Sequence, residues 1–140
     1  RYRQNFDEHD FDAIRNIIGE KYPDYINAYD YVMNSNMGTM CNMMICNKTL
    51  FDSYCEWLFD ILFESEKYID PSTRDAYRAR VFGFLSERLL NIWLVKNSLK
   101  VKYVTVVRTD EGRIKGLAGV LLNKIKCILQ RKIVKVKYVK

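Results

Sequence analysis

The chain has a single histidine, His9, only two prolines and only six glycines in 140 residues. With so few breakers, and with hydrophobic residues at 49% and aromatics at 14%, a disordered, collagen-like or low-complexity chain is excluded. No apolar run approaches the roughly 20 residues that a membrane-crossing helix needs, so no transmembrane segment is expected. There is no signal-peptide pattern either, and the chain opens Arg1-Tyr2-Arg3 without a Met, as the later part of a longer protein would. The four cysteines, Cys41, Cys46, Cys55 and Cys127, form no CxxC pair and His9 lies far from them, so no zinc site is expected. Reduced, buried thiols in a reducing cytoplasm are the reading that fits.

What is present is a domain's worth of chain with enough apolar residues for a core. Charge is unevenly placed. Residues 1–98 hold 11 Lys/Arg against 15 Asp/Glu, a net of −4, while residues 99–140 hold 12 against 2, a net of +10. An acidic body with a basic tail points to an anionic partner for the tail, either a membrane surface or nucleic acid. The division expected is a body over residues 1–109 and a tail over residues 110–140.

Apolar periodicity organises the body. Phe11, Ile14, Ile17 and Ile18 recur at helical spacing, predicting a helix from Asp10 to about Tyr22. Pro23 is tolerated in the first turn of a second helix, whose stripe of Tyr25, Ile26, Tyr29 and Val32 or Met33 runs to about Asn34. The short apolar run Met40–Cys46 reads as a buried strand. Asn47 or Thr49 caps a third helix with Leu50, Phe51, Tyr54, Trp57, Leu58, Ile61 and Leu62 on one broad face. Asp52, Glu56, Asp60 and Glu64 follow at steps of four, a solvated stripe rather than a catalytic array. After the turn at Asp70-Pro71-Ser72-Thr73 a long helix is expected from about Thr73 to Asn97, with Tyr77, Val81, Phe84, Leu85, Leu89, Ile92 and Trp93 inward. Gly83 in its middle costs on the order of 1 kcal/mol against Ala, the kind of position that admits a close backbone or ligand. Val101–Val107 reads as a second strand.

In the tail, Ile114, Leu117, Ala118, Leu121, Ile125, Ile128 and Leu129 share one helical sector. Arg113, Lys124 and Arg131 border it on one side, and Lys115 and Lys126 on the other. Such residues can reach lipid phosphates while the apolar face enters the headgroup boundary. A terminal helix docked on the body by the same face is the other reading. Nucleic acid comes third, because no aromatic stacking partner occurs between Arg108 and Arg131.

Two segments carry a family resemblance. Asn42-Met43-Met44-Ile45 with Phe51-Asp52-Ser53-Tyr54-Cys55-Glu56-Trp57-Leu58-Phe59-Asp60-Ile61-Leu62, and then Arg80-Val81-Phe82-Gly83-Phe84-Leu85-Ser86-Glu87-Arg88-Leu89-Leu90, resemble a bacterial family of capsular-polysaccharide synthesis proteins. That family is carried as a domain of unknown function and read as glycosyltransferases. His9 with Asp10-Phe11-Asp12, and Tyr22-Pro23-Asp24-Tyr25, are similar to its lead-in, and the resemblance covers about residues 1–107. The family's amino-terminal segment, with a His-Tyr-Arg-Arg motif and a nucleotide-sugar site, has no counterpart in the sequence. The expectation is therefore the carboxy-terminal part of such an enzyme.

The resemblance implies an α/β, helix-rich fold of the GT-A class and a nucleotide diphosphate sugar as donor. It also implies a divalent metal, Mn or Mg, held mainly by the amino-terminal half, and a lipid-linked glycan acceptor at the inner membrane face. Asn42 resembles the Asn-x-Gly segment that faces donor and acceptor in GT-A enzymes. Its amide both donates and accepts, as sugar hydroxyls require, although a backbone-satisfied amide is an equal reading. Glu87 is the catalytic candidate: an inverting transferase needs a carboxylate to take the acceptor hydroxyl's proton, and an apolar setting raises a carboxyl pKa. Arg80, two helical turns before Glu87, could hold a diphosphate or pair with Glu87, and Arg88 adjoins it. His9 and Asp12 are candidate substrate contacts, with a plain helix start as the alternative. Sugar transfer is the leading function, and a non-catalytic, membrane-associated glycan-binding or scaffolding module is the other.

Overall fold

A computed structural model describes residues 7–35, 42–102 and 122 of the chain. The chain divides into two compact units, Arg1–Leu99 and Lys100–Lys140. Among the described residues four α-helices lie in the first: α1 (Glu8–Lys21), α2 (Ile26–Asn34), α3 (Lys48–Ser65) and α4 (Val81–Lys96). No helix among the described residues is long and apolar enough to cross a membrane.

The first three helices start where local chemistry provides a start. The Asp7 carboxylate accepts from the His9 amide and caps α1. The Tyr22 amide closes α1 by donating to the Ile18 carbonyl, and Pro23 then opens a single 3-10 turn (Pro23–Tyr25) that leads into α2. Asn47 caps α3 by accepting from the Leu50 amide at 2.8 Å. Helix α4 ends in a Schellman arrangement, Leu99 N–H to Leu94 C=O and Ser98 N–H to Val95 C=O, with Ser98 at a φ of 51° where glycine is usual.

Helix α4 is the middle of the core. Val81, Leu85, Leu89, Leu90, Ile92 and Trp93 are all buried, so its apolar face takes in about half of its circumference. It packs against α2, α3 and the Pro23–Tyr25 turn, whereas α1 packs on α2 and α3 but not on α4. Helix α1 supplies Ile14, Ile17 and Ile18 to the core, α2 supplies Ala28, Tyr29 and Val32, and α3 supplies Tyr54, Trp57, Leu58 and Ile61. Tyr29 is anchored by its hydroxyl, which donates to the Phe11 carbonyl at 2.7 Å and joins α2 to α1.

Three expectations are corrected. Residues 42–47 carry no regular structure, so no strand forms in the described part of the Met40–Cys46 run; Ile45 there is 98% exposed, and a strand needs a partner that this segment does not find. No strand occurs among the described residues, which are helix-rich. Of the second expected strand, Val101 and Lys102 are irregular, and residues 103–107 lie outside the described residues. The long helix begins at Val81, not Thr73. The Asp70 side chain accepts from the Ser72 amide, and that of Asp75 accepts from the amides of Tyr77 and Arg78, closing turns that compete with a helix. Tyr77, expected inward, is 52% exposed as a result.

Candidate functional site

Few polar side chains interrupt α4, and they lie close together in sequence. Ser86 and Asn91 are buried, while Glu87 and Arg88 are half-buried. The Ser86 hydroxyl donates to the Gly83 carbonyl at 2.7 Å, one turn back on the same helix. Its oxygen accepts from the Asn42 side-chain amide in a short contact. Asn91 donates to the Glu87 carbonyl at 2.7 Å. Asn42 is thus tied to α4 through its nitrogen, which leaves its Oδ1 as an acceptor at an exposed position. Two separate segments, the one before α3 and α4 itself, meet at this hydrogen bond.

Gly83 and Phe84 precede Glu87 by four and three residues and share its side of α4. Among the described residues a Cβ built on Gly83 would meet nothing within 4 Å, so the close backbone neighbour allowed for by the sequence is not found among them. Arg80 stands in the 3-10 turn Arg78–Arg80 that leads into α4. Its guanidinium lies over the Phe84 ring, 5.2 Å from the centroid, not on the Glu87 carboxylate, and Tyr77 packs against the same ring at 5.2 Å. Arg80, Glu87, Arg88 and Asn42 therefore belong to the neighbourhood of α4.

His9 and Asp12 do not join them. Both are exposed on α1, which makes no direct contact with α4. Of that acidic cluster, the residue with a definite partner is Asp10. It is fully buried and grips Arg74 by two bonds of 2.6 and 2.7 Å. That pairing raises the Arg74 guanidinium pKa further. Nothing local in the sequence announces it, because the partners are 64 residues apart. The membrane-contact residues Arg113, Lys115, Lys124, Lys126 and Arg131 lie outside the described residues.

A second polar junction was not foreseen. At the end of α1, Lys21 and Tyr22 both bond Asp60 of α3, at 2.6 and 2.8 Å, and hold its carboxyl below the usual range. Burial, with the bond to Asp60, pushes the Tyr22 phenol up to about 12. Tyr22 and Tyr25 pack on Trp57, Tyr25 stacking at 4.9 Å. Tyr54 hydroxyl and Trp57 Nε1 are buried without a hydrogen-bond partner. The signal was present in the helix-spaced aromatics, which periodicity reads only as core. A depression of about 310 Å³ lined by Glu66, Ile69, Asp70, Pro71 and Phe82 contains none of the expected site residues.

Cys46 and Cys55 are free, half-buried thiols, and burial, with Asp52 and Cys46 nearby, pushes the Cys55 thiol up. Cys41 and Cys127 lie outside the described residues. Among the described residues no three His, Cys, Asp or Glu side chains converge to hold a cation, so these residues do not fit a divalent metal. The chemistry open to the α4 face is that of its own carboxylate, amide and guanidinium groups.

These features define a helix-rich domain with a cluster of polar side chains on its central helix. The chain belongs to the family described as a domain of unknown function, DUF4422, which matches residues 1–98 and so takes in all four helices. No curated protein and no solved structure matches it.

Proposed function

We propose that the chain serves a glycosyltransferase that moves a sugar from a nucleotide diphosphate sugar to a growing capsular, exopolysaccharide or O-antigen glycan. The observation that carries this reading is the Asn42–Ser86 hydrogen bond. It brings together the two segments whose residues resemble polysaccharide-synthesis transferases, and it does so one residue from Glu87. In this reading the acceptor hydroxyl oxygen bonds to the anomeric carbon as the bond from that carbon to the nucleotide diphosphate breaks. The hydroxyl proton passes to the Glu87 carboxylate, and the diphosphate leaves with the electron pair. Asn42 Oδ1 accepts from a sugar hydroxyl, and Arg80 or Arg88 meets negative charge on the leaving group. The acceptor is lipid-linked, and the basic segment 113–131 keeps the protein at the anionic inner face of the membrane, on the cytoplasmic side.

The test is turnover of nucleotide diphosphate sugars with a lipid-linked glycan acceptor. Glu87→Gln keeps the shape and removes the base, so transfer falls by roughly 10²–10⁴ while the thermal unfolding midpoint stays put. Near-normal turnover would remove Glu87 from the catalytic role. The second reading, a non-catalytic glycan-binding or scaffolding module, is favoured by the exposure of two of its polar residues, Asn42 and Arg80. Under that reading the chain binds glycan, no sugar is transferred, and Glu87→Gln is silent in the transfer assay.

A further inference from the structure

The side of α3 turned away from the core is not polar. Phe59 and Phe63 are 47% and 63% exposed, and their rings stack at 5.8 Å on the surface. Phe51 is 48% exposed. With Lys48, Cys55 and Glu66 they fall within about a third of the helical circumference, taking 100° per residue. Tyr54, Trp57 and Ile61 occupy the buried side. Exposed stacked aromatics on a helix are costly unless something covers them.

The order of residues along this face says what does. Residues equidistant from Trp57 lie opposite one another when two copies of α3 pair antiparallel about a two-fold axis. Phe51 then faces Phe63 of the second copy, and Cys55, the smallest side chain in the row, faces Phe59, the bulge that fits over it. At each end Lys48 faces Glu66. Lys48 has its side chain 86% exposed; it already holds Asp52 at 2.5 Å, and its ammonium has donors to spare. Glu66 is exposed just beyond the last turn of α3. Asp52 and Leu62 fall in the same sector and face one another, the Asp52 carboxylate being held by Lys48, so the complementarity of the face to itself lies in its aromatic row and its charged ends, as an isologous interface requires. Asp52 within it and Glu56 at its edge disfavour an anionic lipid surface as the occupant.

We propose that α3 is a homodimer interface, covered by α3 of a second copy of this chain in antiparallel register with Lys48 against Glu66. This stands independently of the sugar-transfer reading. Sedimentation equilibrium of the chain under reducing conditions tests it. A monomer–dimer equilibrium is expected in the micromolar range, lost on Phe59→Glu. Lys48→Glu alone and Glu66→Lys alone each set like charges against one another at both ends, weakening dimerisation roughly tenfold. The double variant Lys48→Glu/Glu66→Lys restores the wild-type constant, which separates register from any loss of folding. A chain that is monomeric throughout overturns the proposal. So does a dimer indifferent to both single charge changes, or binding of neutral vesicles that Phe59→Glu abolishes in a chain that never dimerises.

Discussion

Asp10 is the most demanding residue in the domain, a carboxylate with no solvent exposure whose partner, Arg74, keeps only 18% of its side chain in contact with water. A charge so placed is tolerable because the guanidinium meets both oxygens in a planar fork. The pair is not thereby a source of stability, since desolvation of both groups offsets most of the attraction. What it does is fix position: it fastens the irregular segment between α3 and α4 to the first turn of α1. Removing one partner leaves the other buried and uncompensated. Arg74→Met should therefore lower the unfolding free energy by about 3–5 kcal/mol in urea titration. Asp10→Leu/Arg74→Met together should recover most of that loss. A double variant as unstable as the single one would mean that the pair stabilises the fold outright.

At the scale of elements, α4 shows where an argument from sequence reaches and where it stops. The breaker at Pro23 and the cap at Asn47 act on neighbours a few residues away, so the break between α1 and α2 and the start of α3 were legible from local chemistry, whereas α1 starts two residues before the expected Asp10, at a cap on Asp7 that the apolar spacing does not mark. The start of α4 was not, because apolar spacing continues back to Thr73 while Asp70 and Asp75 quietly close turns with nearby amides. The apolar run before α3 misled for a related reason: composition suggested burial, but among the described residues the segment has no neighbouring strand to complete it. In the candidate site, Glu87 and Arg88 were legible as polar residues in an apolar stretch. The tie from Asn42 to Ser86 spans 44 residues and has no local signature. Gly83 is where element and site meet. No described residue reaches its Cβ position, so Gly83→Ala should stabilise α4 by about 0.5–1 kcal/mol through helix propensity alone. Thermal unfolding reads that gain. If substrate approaches this face, the same variant raises KM while the fold grows more stable, and an unchanged KM places the substrate elsewhere.

For the molecule as a whole, the decisive feature is the contrast between residues 1–98, with a net of −4, and residues 99–140, with a net of +10. An acidic body is repelled by an anionic membrane, so electrostatic attachment must come from the basic segment. Each Lys or Arg near such a surface contributes about 1 kcal/mol, an attraction that fades within a Debye length. On a helical reading of the sequence Arg113, Lys115, Lys124, Lys126 and Arg131 border the apolar row, and together they would suffice for reversible binding. Deleting residues 113–140 should then move the protein from sedimented phosphatidylglycerol vesicles to the supernatant. Raising the salt on the intact chain should do the same by degrees, and neutral vesicles should retain little of it. If the same segment serves the body instead, deletion lowers the unfolding temperature and leaves the vesicle partition unchanged. Attachment that survives both deletion and high salt would contradict an electrostatic tail and shift attention to exposed aromatics such as Phe59 and Phe63. Those residues carry no charge for salt to screen.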